Sequence, residues 1–366
     1  MRAAVLTGPG ALSVVSVPEP ACGPGEVLVR MRGTGLCGSD LAVYAGRRPA
    51  PYLPWILGHE GTGRVEAVGA GVGGLRAGQD VVVEPDYCCL ACADCLAGRT
   101  SACAGRAAVG LTVPGLLSEY VVAPAEFVWR IPAGLPPEDL VCVEPATVAR
   151  AALRRSGISP GQSCLVTGAG SQGLLLCRAL VEHGATVFVQ EPNPARLDRA
   201  RALGATPLPP DGNGVPYFFE TSGAPGVAEQ GLRRLARQGT AVLIGMNTAP
   251  LGVSPRDVVA GQLRIVGSMI YDHPGDFAGT IAALGSGTRP RLGAVVSDRY
   301  PLDDVRAAFE AAAGAPGKVW IDLSCGATKP PGTPGTGERT GFGCLRNRSS
   351  PRPSPVGTTG FEPATP

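Results

Sequence analysis

The sequence has 366 residues with 44% apolar side chains, which predicts about two domains with enough apolar residues to fill their cores. The formal net charge of +2 becomes −1 without residues 324–366 (27 basic against 28 acidic side chains), and this near-neutral balance argues against nucleic-acid and membrane partners. No signal peptide and no run of 18 apolar residues is visible, so we expect a cytoplasmic protein whose twelve cysteines are metal ligands or buried thiols.

The predicted elements change character near residue 145. Before it, short apolar runs between glycines and prolines predict strands at 3–6, 27–29, 81–83 and 120–122. After it, strands alternate with helices, which is typical of a parallel sheet; these strands are expected at 164–167, 186–189, 217–220, 241–244 and 264–266. Residues 294–323 are expected to return to the first region, ending on a strand at 319–322.

These patterns predict an α/β protein with three parts. A β-rich domain covers 1–143 and is completed by 293–323, and a doubly wound parallel-sheet domain covers 144–292. Residues 324–366 contain 16 glycines and prolines and no periodicity, so we predict a disordered tail there.

Four cysteines with the spacing C-x2-C-x2-C-x7-C lie in the β-rich region: Cys89, Cys92, Cys95 and Cys103. Four thiolates in one short lobe form a closed tetrahedral site, for which Zn²⁺ is the usual ion, so we predict a structural zinc site. A disulfide pair and a [4Fe–4S] cluster are the alternatives.

A glycine motif follows the first predicted strand of the parallel sheet. Gly168-x-Gly170-x-x-Gly173 opens a predicted helix, where the glycines permit a tight turn, the approach of a pyrophosphate and close helix packing. Glu191 ends the next strand and can accept hydrogen bonds from the adenosine ribose, which favours NAD over NADP. Arg196 lies nearby and keeps NADP possible. A glycine-rich turn without a ligand is the alternative.

Three further candidate ligands are Cys37 in GLCGSD, His59 in LGHEGTG and Glu144 in VEPAT. Each alone has an ordinary explanation, as a buried thiol, a core histidine or a helix-start glutamate. Together with the cysteine lobe and the glycine motif they form an ordered set that resembles the zinc-containing medium-chain alcohol and polyol dehydrogenases. The resemblance extends over residues 1–323 and includes GQDVVV at 78–83, SEYVV at 118–122 and GKVWIDL at 317–323.

The resemblance implies a GroES-like catalytic domain joined to a Rossmann domain, with two zinc ions per chain and a homodimer or homotetramer as the assembly. It implies catalytic zinc on Cys37, His59 and Glu144, as in sorbitol, threonine and glucose dehydrogenases, which have glutamate at the third position. Glu60, beside His59, is a possible further ligand. Ser39 would take the proton of the substrate hydroxyl group, although Ala42 stands where many relatives have a relay histidine.

Within that family, the YDHPGDF stretch and the short link between residues 203 and 217 resemble 2-deoxy-scyllo-inosamine dehydrogenases of aminoglycoside antibiotic biosynthesis. The expected activity is therefore NAD(P)-dependent oxidation of a secondary hydroxyl group of a polyol or aminocyclitol to a ketone. A sorbitol, threonine or sugar dehydrogenase is the first alternative. A zinc-stabilised nucleotide-binding protein without catalysis is the second. The short link also leaves no room for the usual helix beside the adenine pocket.

Overall fold

The computed structural model describes residues 1–210, 212–285 and 291–324. Its strands in chain order are β1 (Arg2–Gly8), β2 (Ala11–Ser16), β3 (Glu26–Gly35), β4 (Trp55–Ile56), β5 (Glu60–Val68), β6 (Asp80–Val83), β7 (Asp86–Tyr87), β8 (Ala107–Ala108), β9 (Tyr120–Pro124), β10 (Val128–Arg130), β11 (Ser163–Thr167), β12 (Thr186–Gln190), β13 (Thr206–Pro207), β14 (Val215–Glu220), β15 (Leu235–Leu243), β16 (Arg264–Gly267), β17 (Val296–Pro301) and β18 (Lys318–Asp322). Its α-helices are α1 (Gly38–Tyr44), α2 (Ala93–Leu96), α3 (Pro137–Leu140), α4 (Val143–Ser156), α5 (Ser171–Glu182), α6 (Pro194–Ala202), α7 (Val227–Arg233), α8 (Pro255–Gly261), α9 (Gly275–Gly285) and α10 (Val305–Ala312).

A mixed seven-stranded sheet forms the β-rich part of the fold. Its strand order is β10-β6-β5-β3-β18-β17, with β9 also paired to β3, and β1, β2 and β4 form a separate three-stranded sheet. Only β17 and β18 run parallel in this sheet. Strand β18 comes from the end of the described chain and pairs antiparallel with β3, which places Trp320 opposite Gly35. Residues far apart in sequence therefore meet at one end of β3.

A six-stranded parallel sheet forms the other part, in the order β13-β12-β11-β14-β15-β16. Its central strands are covered by helices on both faces, which requires nearly continuous apolar runs. Strand β11 illustrates this, because Cys164, Leu165 and Val166 are all fully buried. The order runs outward in both directions from β11, so the turn after β11 lies where the strand order reverses, the usual ligand position in such sheets.

The fold class is confirmed: a GroES-like β-rich part and a Rossmann parallel sheet are both present. The predicted strand at 241–244 is the end of a longer strand, since β15 begins at Leu235. The short link before β14 holds only β13 and no helix among its described residues. The predicted tail lies, from residue 325 onward, outside the described residues. Among the helices of the described ranges, none is long and apolar enough to cross a membrane.

Candidate metal centres and cofactor site

Cys37, His59 and Glu60 come together between β3, α1 and β5. Cys37 directly precedes α1, His59 directly precedes β5, and Glu60 is the first residue of β5. Their potential ligand atoms all lie within 4.8 Å of one another. Gly35 permits this approach, because a Cβ atom there would lie 2.2 Å from the Glu60 carboxylate. Two of the predicted ligands, Cys37 and His59, thus lie beside Glu60, the possible further ligand.

Asp40 stabilises the backbone on which Cys37 and His59 lie. It is fully buried and accepts hydrogen bonds from the backbone N–H groups of Cys37 (3.0 Å) and Gly58 (3.1 Å). Its Oδ1 lies 3.3 Å from Nδ1 of His59, without forming a hydrogen bond of good geometry. A carboxylate facing one ring nitrogen of a histidine leaves the other ring nitrogen for a metal, which is the usual arrangement of zinc-binding histidines.

The charges of the group favour cation binding. Burial alone would raise the pKa of Cys37, but the hydrogen bond and charge of His59 outweigh it and leave that pKa below its ordinary value. Burial alone would lower the pKa of His59, yet Asp40 and Cys37 hold it well above its ordinary value. Both groups must lose their protons to bind a divalent cation, and zinc displaces protons from such ligands.

Glu60 has a second partner, Lys318 of β18. The lysine Nζ lies 2.6 Å from Oε1 of Glu60, and both side chains are inaccessible to solvent. The sequence motifs do not predict a site role for Lys318. The available signal was compositional, because the chain has 30 arginines and only two lysines, and one of those is Lys318.

Glu144, the predicted third ligand, lies in the first turn of α4 and is 8% exposed. It is not part of the 4.8 Å group formed by Cys37, His59 and Glu60. The charges of these three residues nevertheless affect the pKa of Glu144. Burial raises the pKa of Glu144 well above its ordinary value, His59 opposes this, and the charges of Glu60 and Cys37 add to it. The structure therefore places two glutamates at the site, and the choice between them stays a prediction.

Ser39 lies in the first turn of α1, two residues after Cys37, and is half-buried. Ala42 follows on the same short helix. Among the described residues, the Ser39 hydroxyl group has no hydrogen-bond partner.

The four cysteines of the lobe also come together. Sγ of Cys89 lies 3.5 Å from Sγ of Cys103 and 3.9 Å from Sγ of Cys95. A tetrahedral site with Zn–S bonds of about 2.3 Å requires sulfur–sulfur distances of roughly 3.8 Å. Backbone N–H groups of Ala91 and Cys92 stabilise the thiolate of Cys89 and lower its pKa to about 6. The ten described cysteines are all free thiols, so the disulfide alternative finds no support here.

The glycine motif forms a tight turn between β11 and α5. A Cβ atom on Gly173 would lie 2.0 Å from the carbonyl oxygen of Gly168, so this close packing requires glycine. A Cβ atom on Gly170 would meet nothing within 4 Å. Open space therefore lies beside the start of α5, where the first N–H groups of a helix lack intrahelical partners and attract anions. These residues fit the pyrophosphate of a dinucleotide.

Glu191 follows β12 at the same edge of the sheet. Its carboxylate accepts hydrogen bonds from the N–H groups of Ala169 (2.7 Å) and Asn193 (2.8 Å), which anchors it beside the glycine turn. Arg196 points elsewhere: its guanidinium donates to the carbonyl oxygens of Ala315 (2.9 Å) and Ala313 (3.3 Å). These contacts weaken the case for Arg196 as a phosphate ligand.

A direct contact joins the two predicted sites. The side-chain amide of Gln172, in the first turn of α5, donates a hydrogen bond to the carbonyl oxygen of Pro145 at 3.3 Å. Pro145 directly follows Glu144 on α4. The first turn of α4 therefore contacts the glycine turn through Pro145 and lies near Cys37 and His59 through Glu144.

Comparison with known proteins agrees with this geometry. Residues 23–133 match the model of the alcohol dehydrogenase GroES-like domain, and residues 173–286 match that of the zinc-binding dehydrogenases. The chain is 34% identical to L-threonine 3-dehydrogenase of Pyrococcus abyssi over 327 residues (83% of this chain, 92% of the relative). It is 30% identical to sorbitol dehydrogenase of Bacillus subtilis over 334 residues (85% and 93%).

A solved structure agrees as well. The NADP-bound structure of a putative zinc-binding dehydrogenase from Sinorhizobium meliloti superimposes with a TM-score of 0.79 at 28% identity, covering 88% of this chain and 98% of the other. The GroES-like model spans Cys37, His59, Glu60 and the cysteine lobe, and the zinc-binding dehydrogenase model begins at Gly173 of the glycine turn. This chain belongs to the zinc-dependent medium-chain alcohol and polyol dehydrogenases, which work with a nicotinamide dinucleotide.

Proposed function

We propose that the enzyme oxidises a secondary hydroxyl group of a polyol or aminocyclitol to a ketone, with NAD as the cofactor. The observation that carries this proposal is the hydrogen bond from Gln172 to Pro145, because it holds the dinucleotide turn against the first turn of α4, which contains Glu144. The hydride donor and acceptor can then lie side by side. The names of the relatives, a threonine and a sorbitol dehydrogenase, support an alcohol bearing further polar groups.

Cys37, His59 and Glu144 would hold the catalytic zinc, with Glu60 as a possible ligand in their place or beside them. Held there, zinc would supply a Lewis acid that lowers the pKa of the substrate hydroxyl group, and NAD would supply the hydride acceptor. Ser39 would accept the hydroxyl proton and release its own proton to a ribose hydroxyl group of the bound dinucleotide. Cys89, Cys92, Cys95 and Cys103 would hold the second zinc, which has no open position for chemistry.

As the finer assignment we propose 2-deoxy-scyllo-inosamine, an aminocyclitol of antibiotic biosynthesis, as the substrate. The test measures NADH formation by zinc-loaded protein with this compound, sorbitol and L-threonine in parallel. We expect the highest kcat/KM for the aminocyclitol. A higher value for sorbitol or threonine would reassign the substrate, and NAD binding without turnover of any of the three would favour a non-catalytic protein. The cytoplasmic location and the homo-oligomeric state also stay predictions.

A further inference from the structure

A cavity of about 250 Å³ lies between α4, α5 and α9, and none of its described lining residues is a predicted metal ligand or cofactor residue. Ala146 and Arg150 lie four residues apart on one face of α4 and line one side. Leu175 and Ala179 have the same spacing on α5 and line another side. Three of these four side chains are buried and apolar, so this space, here called the Arg150 cavity, offers hydrocarbon contacts beside a guanidinium group.

The Arg150 cavity is separate from the metal group. Both adjoin α4, but Arg150 follows Glu144 by six residues, which places it roughly 9 Å along the helix axis and about 120° around it. The cavity adjoins the two predicted domain boundaries instead, since Asp139 and Leu292 both line it. A molecule bound there would contact the chain where it passes between the two predicted domains, without entering the site of the proposed reaction.

A second cavity, of about 350 Å³, adjoins the first and shares Arg150 with it. Four arginines line the two spaces, and three of them have a carboxylate within 4.0 Å: Arg154 with Asp276 (2.6 Å), Arg178 with Glu182 (3.1 Å) and Arg291 with Asp139 (4.0 Å). Arg150 has no such partner in the described ranges, and a Cβ atom on Gly279 of α9 would lie 3.8 Å from its Nη2 atom. The charge of Arg150 is therefore uncompensated at the place where the two cavities meet.

We propose that the Arg150 cavity binds a small organic carboxylate that is neither the substrate nor the cofactor. A guanidinium group holds a carboxylate with two parallel hydrogen bonds, and one negative charge offsets the charge that Arg150 leaves unpaired. Ala146, Leu175 and Ala179 then cover a short hydrocarbon body, which is favourable because apolar surface is removed from water. A phosphate group fits less well, because its further negative charge would meet the carboxylate of Glu182. This inference goes beyond the proposed function and does not depend on it.

The test measures binding of hexanoate, hexanamide and inorganic phosphate by ligand-observed NMR, on zinc-loaded protein with NAD and without substrate. Arg150→Met removes the guanidinium group and keeps an apolar side chain, and Arg256→Met, on the exposed helix α8, is the matched control. We expect wild-type protein and Arg256→Met to bind hexanoate with equal Kd, and Arg150→Met to bind it at least about 10-fold more weakly, as for lost hydrogen bonds to a charged group. Hexanamide and phosphate should bind wild-type protein more weakly than hexanoate. The unfolding temperature should not change, since both arginines are exposed.

A carboxylate can also bind zinc, so the comparison of the variants decides where hexanoate lies. Equal binding of hexanoate to wild-type protein and Arg150→Met would place it elsewhere, as on the metal group, and would overturn the inference. It would also be overturned if wild-type protein bound no hexanoate, or bound hexanamide or phosphate as tightly. Turnover plays no part in these measurements, so a failure of the proposed function leaves their outcome unchanged.

Discussion

Glu60 and Lys318 form an ion pair that is closed to solvent, an arrangement in which the loss of hydration opposes the attraction of the charges. Burial alone would lower the pKa of Lys318, but the Glu60 carboxylate raises it above its ordinary value, so the lysine stays charged. The pair fixes the Glu60 carboxylate next to Cys37 and His59. It also gives Glu60 a partner other than a metal, which favours Glu144 as the ligand.

Removing one member of this pair should destabilise the fold strongly. Lys318→Ala leaves an uncompensated buried carboxylate, and we expect the free energy of unfolding to fall by about 3–5 kcal/mol. Arg233→Ala is the control, because Arg233 pairs with Glu229 at 2.7 Å on an exposed helix face and should matter little. Denaturant unfolding of both variants measures the difference. Similar effects of the two substitutions would show that the buried pair is not important for stability.

The charge of Glu191 should decide cofactor preference. We expect wild-type enzyme to favour NAD, because a 2′-phosphate would meet the carboxylate, and Glu191→Gln to raise kcat/KM for NADP relative to NAD. Glutamine keeps the size of the side chain and an acceptor for the Ala169 N–H group. Arg196→Ala is the control and should leave the ratio unchanged, since Arg196 is bonded to backbone carbonyls. A wild-type preference for NADP would contradict the argument.

Residues in local motifs could be predicted from the sequence, and residues that act across the fold could not. The four cysteines and the glycine turn need fixed spacings, so their chemistry is visible in a short stretch of chain. Lys318 meets Glu60 across 258 residues, through the pairing of β18 with β3. Tyr271, which lies close to Asp86, is the first residue of the YDHPGDF stretch, and Asp86 belongs to no motif. Their closeness depends on tertiary packing, which no spacing rule contains.

At the scale of elements, the buried strands of the parallel sheet were found because their apolar runs are continuous. Strand β15 was predicted too short, since its first residues, Leu235–Gly239, include Arg237 and Gln238 and look like a loop. Gln238 has a positive φ of 63°, a local irregularity that breaks the apolar pattern. The ends of strands depend on pairing with a neighbour, here β14, more than on composition.

The cysteine lobe forms hydrogen bonds with a neighbouring segment of the parallel-sheet part. Thr100 and Ser101, between the third and fourth cysteines, hold the segment that follows Tyr271. Arg155 on α4 reaches the same place, donating to the hydroxyl group of Ser101 at 3.3 Å. Metal binding in the lobe should therefore affect the position of residues beside the active site.

Replacing one cysteine of the lobe should remove one zinc ion per chain and lower the stability of the fold. We expect wild-type protein to contain two zinc ions per chain and Cys92→Ser to contain one, with a lower unfolding temperature, because structural zinc contributes to folding. Cys22→Ser is the control, since Cys22 lies outside both ligand groups. Elemental analysis and thermal unfolding measure the two effects. Iron with visible absorption in wild-type protein would contradict the zinc assignment.

At the scale of the whole molecule, the predicted metal group and the glycine turn belong to different sheets, and α4 contacts a strand of each sheet. The mixed sheet carries Cys37, His59 and Glu60 at the ends of β3 and β5, and the parallel sheet carries the glycine turn. Glu144 lies in the first turn of α4, next to the Pro145 carbonyl group that accepts the hydrogen bond from Gln172. Cofactor binding and metal chemistry should therefore be separable by substitution at this point.

Glu144→Ala should abolish turnover while NAD binding and the fold persist. The dinucleotide contacts lie on the glycine turn and the cysteine lobe is untouched, so only the metal group loses a ligand. Glu310→Ala, an exposed glutamate on α10, is the control and should leave all properties unchanged. Turnover, zinc content and NADH fluorescence measure the three roles separately. If Glu144→Ala keeps both zinc ions and near-normal turnover, Glu60 is the third ligand, and Glu144 serves only to start its helix before Pro145.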